Sequence, residues 1–153
     1  CIFAVCSRRM VQVQYLEGGC NSLVFADFMV NLVEKLKERS DDEQYKRPLI
    51  LMDNASIHRS KLLTAALHRS GVELLYCPPY CPMLNPVEFA NLRLKQAYEK
   101  QATGERRLLS LRDCIPRKAT ELLKSLGREV FLGFFKRTMR YARRSLCRQP
   151  ISE

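Results

Sequence analysis

The sequence predicts an α/β fold built around a short parallel sheet, and three observations carry that reading. Leu49–Met52 is apolar at every position, as in a strand buried on both faces. Residues 72–76 form a second buried-type strand, and between the two runs residues 61–70 read as a short helix stopped by Gly71. Strand, helix and strand in so few residues make a tight βαβ unit, whose strands pair in parallel through a right-handed crossover.

The other elements follow in order. Ile2–Val5 and residues 11–15 are β-prone runs separated by Ser7-Arg8-Arg9, which reads as a hairpin, and Gly18-Gly19 ends the second run. Across 21–39, Phe25, Phe28, Met29, Leu32, Val33 and Leu36 recur at helical spacing. That helix runs into a polar loop with Asp41, Asp42 and Glu43, most simply solvated. From Pro86 onward the chain reads as mostly helical, with breaks near Thr103-Gly104, Pro116 and Gly127.

At 153 residues and 46% hydrophobic, the chain is long enough for one domain with a real core. No apolar run approaches the ~20 residues of a membrane span. The seven cysteines show no zinc-like spacing, which points to reduced, packed thiols inside a cell. Net charge is +10, and its placement says more than its size. Residues 1–90 hold ten Lys/Arg against ten Asp/Glu, whereas residues 91–153 hold sixteen against six. One basic half suggests a polyanion, with nucleic acid first; a solvated helix face is the plainer alternative.

Two carboxylates frame the chemistry, Asp53 and Glu88, with 34 residues between them. Asp53 follows the first apolar strand, where α/β sheets place their sites, and a carboxylate oxygen there suits a hard divalent cation. A turn-forming Asp explains the same residue without chemistry. Asn85, Pro86 and Glu88 make a capping box at a helix start, which accounts for Glu88 structurally while leaving it free to hold metal. Parallel strands end on one edge, so the loop after the second strand is expected to deliver Glu88 to the side of Asp53. His58, five residues past Asp53, could orient a water or phosphate, or be a loop histidine bonded to backbone. His68 reads as a helix-end residue.

Together, Asp53-Asn54-Ala55 with His58, then Pro78-Pro79-Tyr80-Cys81-Pro82, then Leu84-Asn85-Pro86-Val87-Glu88 closely resemble the catalytic core of mariner-type transposases. The resemblance covers residues 1–100 or so, and Lys95 fills the place of a basic residue on the following helix. It implies a ribonuclease-H-like mixed five-stranded sheet with flanking helices and three acids holding two Mg²⁺ or Mn²⁺ ions. Asp53 matches the second acid and Glu88 the third, with Asn54, His58 and Asn85 in support. The first acid belongs on a strand upstream of Cys1, since Glu17 and Asp27 fall in the wrong elements, and the chain alone is therefore expected not to cut DNA. Cys81 stands where the family has Ser, and Asn91 where an aromatic follows the Glu, which raises a non-catalytic, DNA-binding remnant as the alternative.

The resemblance further implies a partial catalytic core over 1–100 and a basic helical extension of the same domain over 101–153. Transposon ends and target DNA are the implied partners, a homodimer the implied assembly, and the nucleus the implied location, with bacterial cytoplasm the alternative. Over 129–148, Val130, Phe131, Phe134, Phe135, Met139, Tyr141 and Leu146 read as a buried stripe. Lys136, Arg137, Arg140, Arg143, Arg144 and Arg148 read as a basic face along phosphate backbone.

Overall fold

The structure, a computed structural model, describes residues 1–16, 18–39, 48–68, 70–102 and 121–147. Glu17, the acidic loop at 41–43, the breaks at Thr103-Gly104 and Pro116, and Arg148 lie outside the described residues. The chain divides into two compact units. One comprises Leu16–Pro82 with Ile2, and the other Phe3–Tyr15 and Met83–Glu153 with Cys1.

In the Leu16–Pro82 unit, helix α1 (Ser22–Lys37) starts where Asn21 accepts the Val24 N–H at 2.9 Å. Its buried face is Phe25, Ala26, Phe28, Met29, Leu32, Val33 and Leu36, the helical stripe expected from sequence. Lys35 and Lys37 in its last turn complement the helix dipole. This helix packs on α2 (Lys61–Leu67), whose inward residues are Leu63 and Leu67. Ser60 caps α2 by accepting the Leu63 N–H, and Gly71, with φ of 73°, turns the chain out after it.

The parallel ladder forms as predicted. Here β3 (Leu49–Met52) pairs with β4 (Glu73–Tyr76), Leu49 opposite Glu73 and Met52 opposite Tyr76. Burial on both strand faces does not hold, because Leu49 is 54% and Leu75 49% exposed. Among the described residues β3 and β4 form a two-stranded sheet, so neither strand is flanked on both sides as an interior strand is.

In the other unit, β1 (Ile2–Val5, of which Ile2 falls to the first unit) pairs with β2 (Met10–Gln14) across a turn closed by Cys6 N–H on the Arg9 carbonyl. Helix α3 (Pro86–Ala102) packs against α4 (Arg128–Leu146), whose N-cap is Gly127, where the sequence indicated a break. Ala90, Leu123, Phe131 and Phe134 are the core, with Phe3, Val5, Met10, Phe89 and Phe135 packed around them. On α4 the buried residues are Phe131, Phe134 and Thr138; Met139 (55% exposed) and Leu146 (84%) lie outside the expected stripe. At about 100° per residue, Met139 falls well round the helix from Phe131 and Phe134, whereas Thr138 lies between them.

The four described strands thus make two ladders, one parallel and one hairpin, where the resemblance implied a single five-stranded sheet. The mixed α/β class stands. No helix among the described residues is long and apolar enough to cross a membrane.

Candidate active site

Asp53 is the first residue after β3, and the turn that follows fixes its side chain. Its Oδ1 accepts the Ala55 N–H at 3.0 Å and lies 2.7 Å from His58 Nδ1. An ionised carboxylate only accepts, so at that distance the ring nitrogen carries the hydrogen and donates. Both contacts fall on one oxygen. The carboxylate is 53% exposed, so Oδ2 remains open to solvent.

His58 is itself held on three sides. Its backbone N–H donates to the Ala55 carbonyl at 2.9 Å, and its carbonyl accepts the Tyr76 hydroxyl at 2.8 Å. Its ring sits 4.2 Å from the ring of Phe25, a residue of the α1 core face. The expectation that His58 might be only a backbone-bonded loop histidine is therefore incomplete: it touches the Asp53 carbonyl at 3.3 Å, and the carboxylate more closely.

Asn54 does a different job. Its Nδ2 donates to the Cys77 carbonyl, and Cys77 N–H donates to the Met52 carbonyl at 2.8 Å, so the residues just past the two parallel strands are tied together. Its Oδ1 is buried without a hydrogen-bond partner. From Cys77 the chain enters the 77–82 loop, where Tyr80 has φ of 60° and is 99% exposed. A non-glycine residue there stores about 1–3 kcal/mol of strain.

Glu88 belongs to the other unit, in the first turn of α3 and half-buried. Only part of the expected capping box forms. Asn85, 5% exposed, accepts the Val87 N–H at 3.3 Å, and Glu88 N–H bonds the Asn85 carbonyl at 3.1 Å. Asp53 and Glu88, expected to converge, thus fall in different units. Asp27 lies exposed on α1.

The cations of the second unit stand clear of its core. Lys95, Lys136, Arg137, Arg140 and Arg143 are exposed and Arg144 half-buried. The Arg137 guanidinium lies 4.9 Å from the centroid of the Phe89 ring, one residue past Glu88. His68 is the exposed C-cap of α2, the helix-end residue expected from sequence. From sequence, Tyr76 was read only as a strand residue, Phe25 only as part of the α1 stripe and Tyr80 only as part of the 78–82 motif, none with a role at the site.

No group of three or more His, Cys, Asp or Glu side chains gathers among the described residues. A hard cation nevertheless fits the donors present. Mg²⁺ is commonly held by one or two carboxylates and completes its shell with water and substrate oxygens, and Asp53 offers an open, fixed oxygen of that kind.

A βαβ unit with a carboxylate fixed at the strand end, followed by a basic helical part, fits the ribonuclease-H-like class that the sequence resemblance implied. The sequence profile of the DDE superfamily endonucleases matches residues 1–109, and the chain belongs to that family. Its fold is that of the Mos1 mariner transposase catalytic domain, with a TM-score of 0.76 at 19% identity over 99% of this chain and 74% of that one. The same domain solved with raltegravir and Mg gives 0.75 at 19% identity, over 99% and 75%. A pre-cleavage Mos1 transpososome gives 0.73 at 18% identity, over 96% of this chain and 43% of that one. Among curated protein sequences none matches the chain.

Proposed function

We propose that this chain is part of the catalytic domain of a DNA transposase, with Asp53 and Glu88 as metal-holding acids for Mg²⁺ or Mn²⁺. The observation that carries the reading is the Asp53 carboxylate, fixed through Oδ1 at the end of a parallel strand with Oδ2 open. Cations held there would supply activation of water or a DNA 3′-hydroxyl and stabilisation of the leaving oxygen in a displacement at phosphorus. Asp53 would hold through Oδ2 while His58 and the Ala55 N–H keep the carboxylate from turning. Glu88 is the second holder, Asn54 and Asn85 fix the segments carrying the two acids, and the exposed cations of α3 and α4 seat phosphate.

Transposon ends and target DNA are the proposed partners, and two copies of the complete protein the proposed assembly. The proposed location is the nucleus, or the cytoplasm if the host is bacterial. The 101–153 segment is proposed to extend the catalytic domain rather than to act separately. A second reading, a DNA-binding remnant without chemistry, draws on the lack of a three-donor group among the described residues.

Calorimetric titration with Mn²⁺ separates the two. Asp53→Asn is expected to abolish a site that the native chain shows, and His58→Ala to weaken it about 10–100-fold. Native and Asp53→Asn proteins with the same Mn²⁺ isotherm would leave only the remnant reading. With two acids of the implied three assigned, supercoiled DNA should stay intact with this chain alone. Nicking that Asp53→Asn abolishes would overturn that expectation.

A further inference from the structure

We infer that Tyr80 is a stacking platform for an unpaired DNA base beside the metal-holding acid Asp53, an inference that rests on the DNA reading above. Four observations carry it. Tyr80 is 99% exposed, so its ring has no protein face to cover it. Its backbone has φ of 60°, a conformation that tyrosine rarely adopts and that asparagine or glycine would hold more easily, so the local fold gives no reason for the ring. Pro78, Pro79 and Pro82 stiffen the loop around it.

The fourth observation is position. The loop leaves β4 at Cys77, whose carbonyl accepts from Asn54, the neighbour of Asp53. Three residues of chain reach at most about 11 Å. Tyr80 is therefore tethered within about three stacked nucleotides, at ~3.4 Å each, of that anchor. The occupant follows from the DNA reading: the uncharged, flat part of that polyanion is its base, the part on which an exposed aromatic ring stacks. Stacking tolerates any base, so Tyr80 adds grip on an unstacked nucleotide rather than sequence choice.

The chain has no tryptophan, which makes the test direct. In the full chain carrying Tyr80→Trp, a duplex with a 3′ single-stranded overhang should quench the sole indole. The same duplex with an abasic overhang should bind without quenching. Leu23→Trp, at an exposed α1 position, should show no quenching with either. Tyr80→Asn, which suits the backbone and removes the ring, should weaken overhang binding about 5- to 100-fold, while Tyr80→Phe keeps it.

Tight overhang binding without indole quenching, with Tyr80→Asn equal to the native chain, overturns the inference and leaves the DNA reading intact. Quenching that rises with protein concentration in the absence of DNA makes a second copy the occupant, and also overturns it. A native chain that binds neither duplex nor overhang sinks the DNA reading and this inference together.

Discussion

Replacing Lys136, Arg140 and Arg143 together with alanine is expected to weaken duplex DNA binding several hundredfold near 0.1 M salt. All three are exposed on α4, on the side away from Phe131, Phe134 and Thr138, so their loss leaves the core untouched. Each phosphate contact contributes about 0.9 to the slope of log affinity against log salt, so removing three lowers that slope by about 2.7. Arg137 is kept out of the set because its guanidinium covers the Phe89 ring, and truncating it would remove packing along with charge. Anisotropy titrations from 50 to 300 mM KCl read both quantities. An unchanged slope with an unchanged thermal melt would remove α4 from the DNA interface.

Phe131→Ala is expected to cost about 3–5 kcal/mol in the unit built on α3 and α4. Phe131 is 0% exposed, meets Phe134 edge-on at 5.9 Å, and shares its cluster with Ala90 and Leu123. A loss of that size is a large part of the stability of an ordinary domain, so the urea midpoint should move sharply or the unit should fail to fold. Met139→Ala, on the same helix but 55% exposed, should stay within about 0.5 kcal/mol. Equal effects at the two positions would mean that α4 does not bury the face described.

Where periodicity and end signals agreed, the sequence was a good guide. The α1 stripe, the break near Gly127 and the parallel pairing of β3 with β4 are all local patterns or follow from the short βαβ connection. The burial of β3 was not readable from its composition. Leu49 and Leu75 are as apolar as interior strand residues, and their exposure depends on what lies beside the sheet. The α4 stripe erred for a related reason: Met139 and Leu146 are apolar, but the helix phase turns them from the core while Thr138 is turned into it.

At the site, residue types were legible and their contacts were not. Nothing in the spacing of Asp53 and His58 says that one carboxylate oxygen takes both the ring and the Ala55 N–H. That depends on the 3-10 turn Ser56–Arg59, which folds the imidazole back over Asp53 and against Phe25. The partial capping box at Asn85 has the same origin, since a side chain that can reach Val87 or Glu88 is decided by rotamer rather than by order in the chain.

The Ala55 N–H bound to Asp53 also bears on how long the molecule lasts. An asparagine loses its amide when the next residue's backbone nitrogen attacks the side-chain carbonyl and closes a five-membered ring. For Asn54 that nitrogen belongs to Ala55, and its hydrogen is committed to Asp53 Oδ1. The Asn54 amide is meanwhile anchored to Cys77. The turn that aims the acid therefore also slows the chemical ageing of its neighbour, which peptide mass analysis of stored protein would register as an Asn54 that resists the one-dalton gain of deamidation.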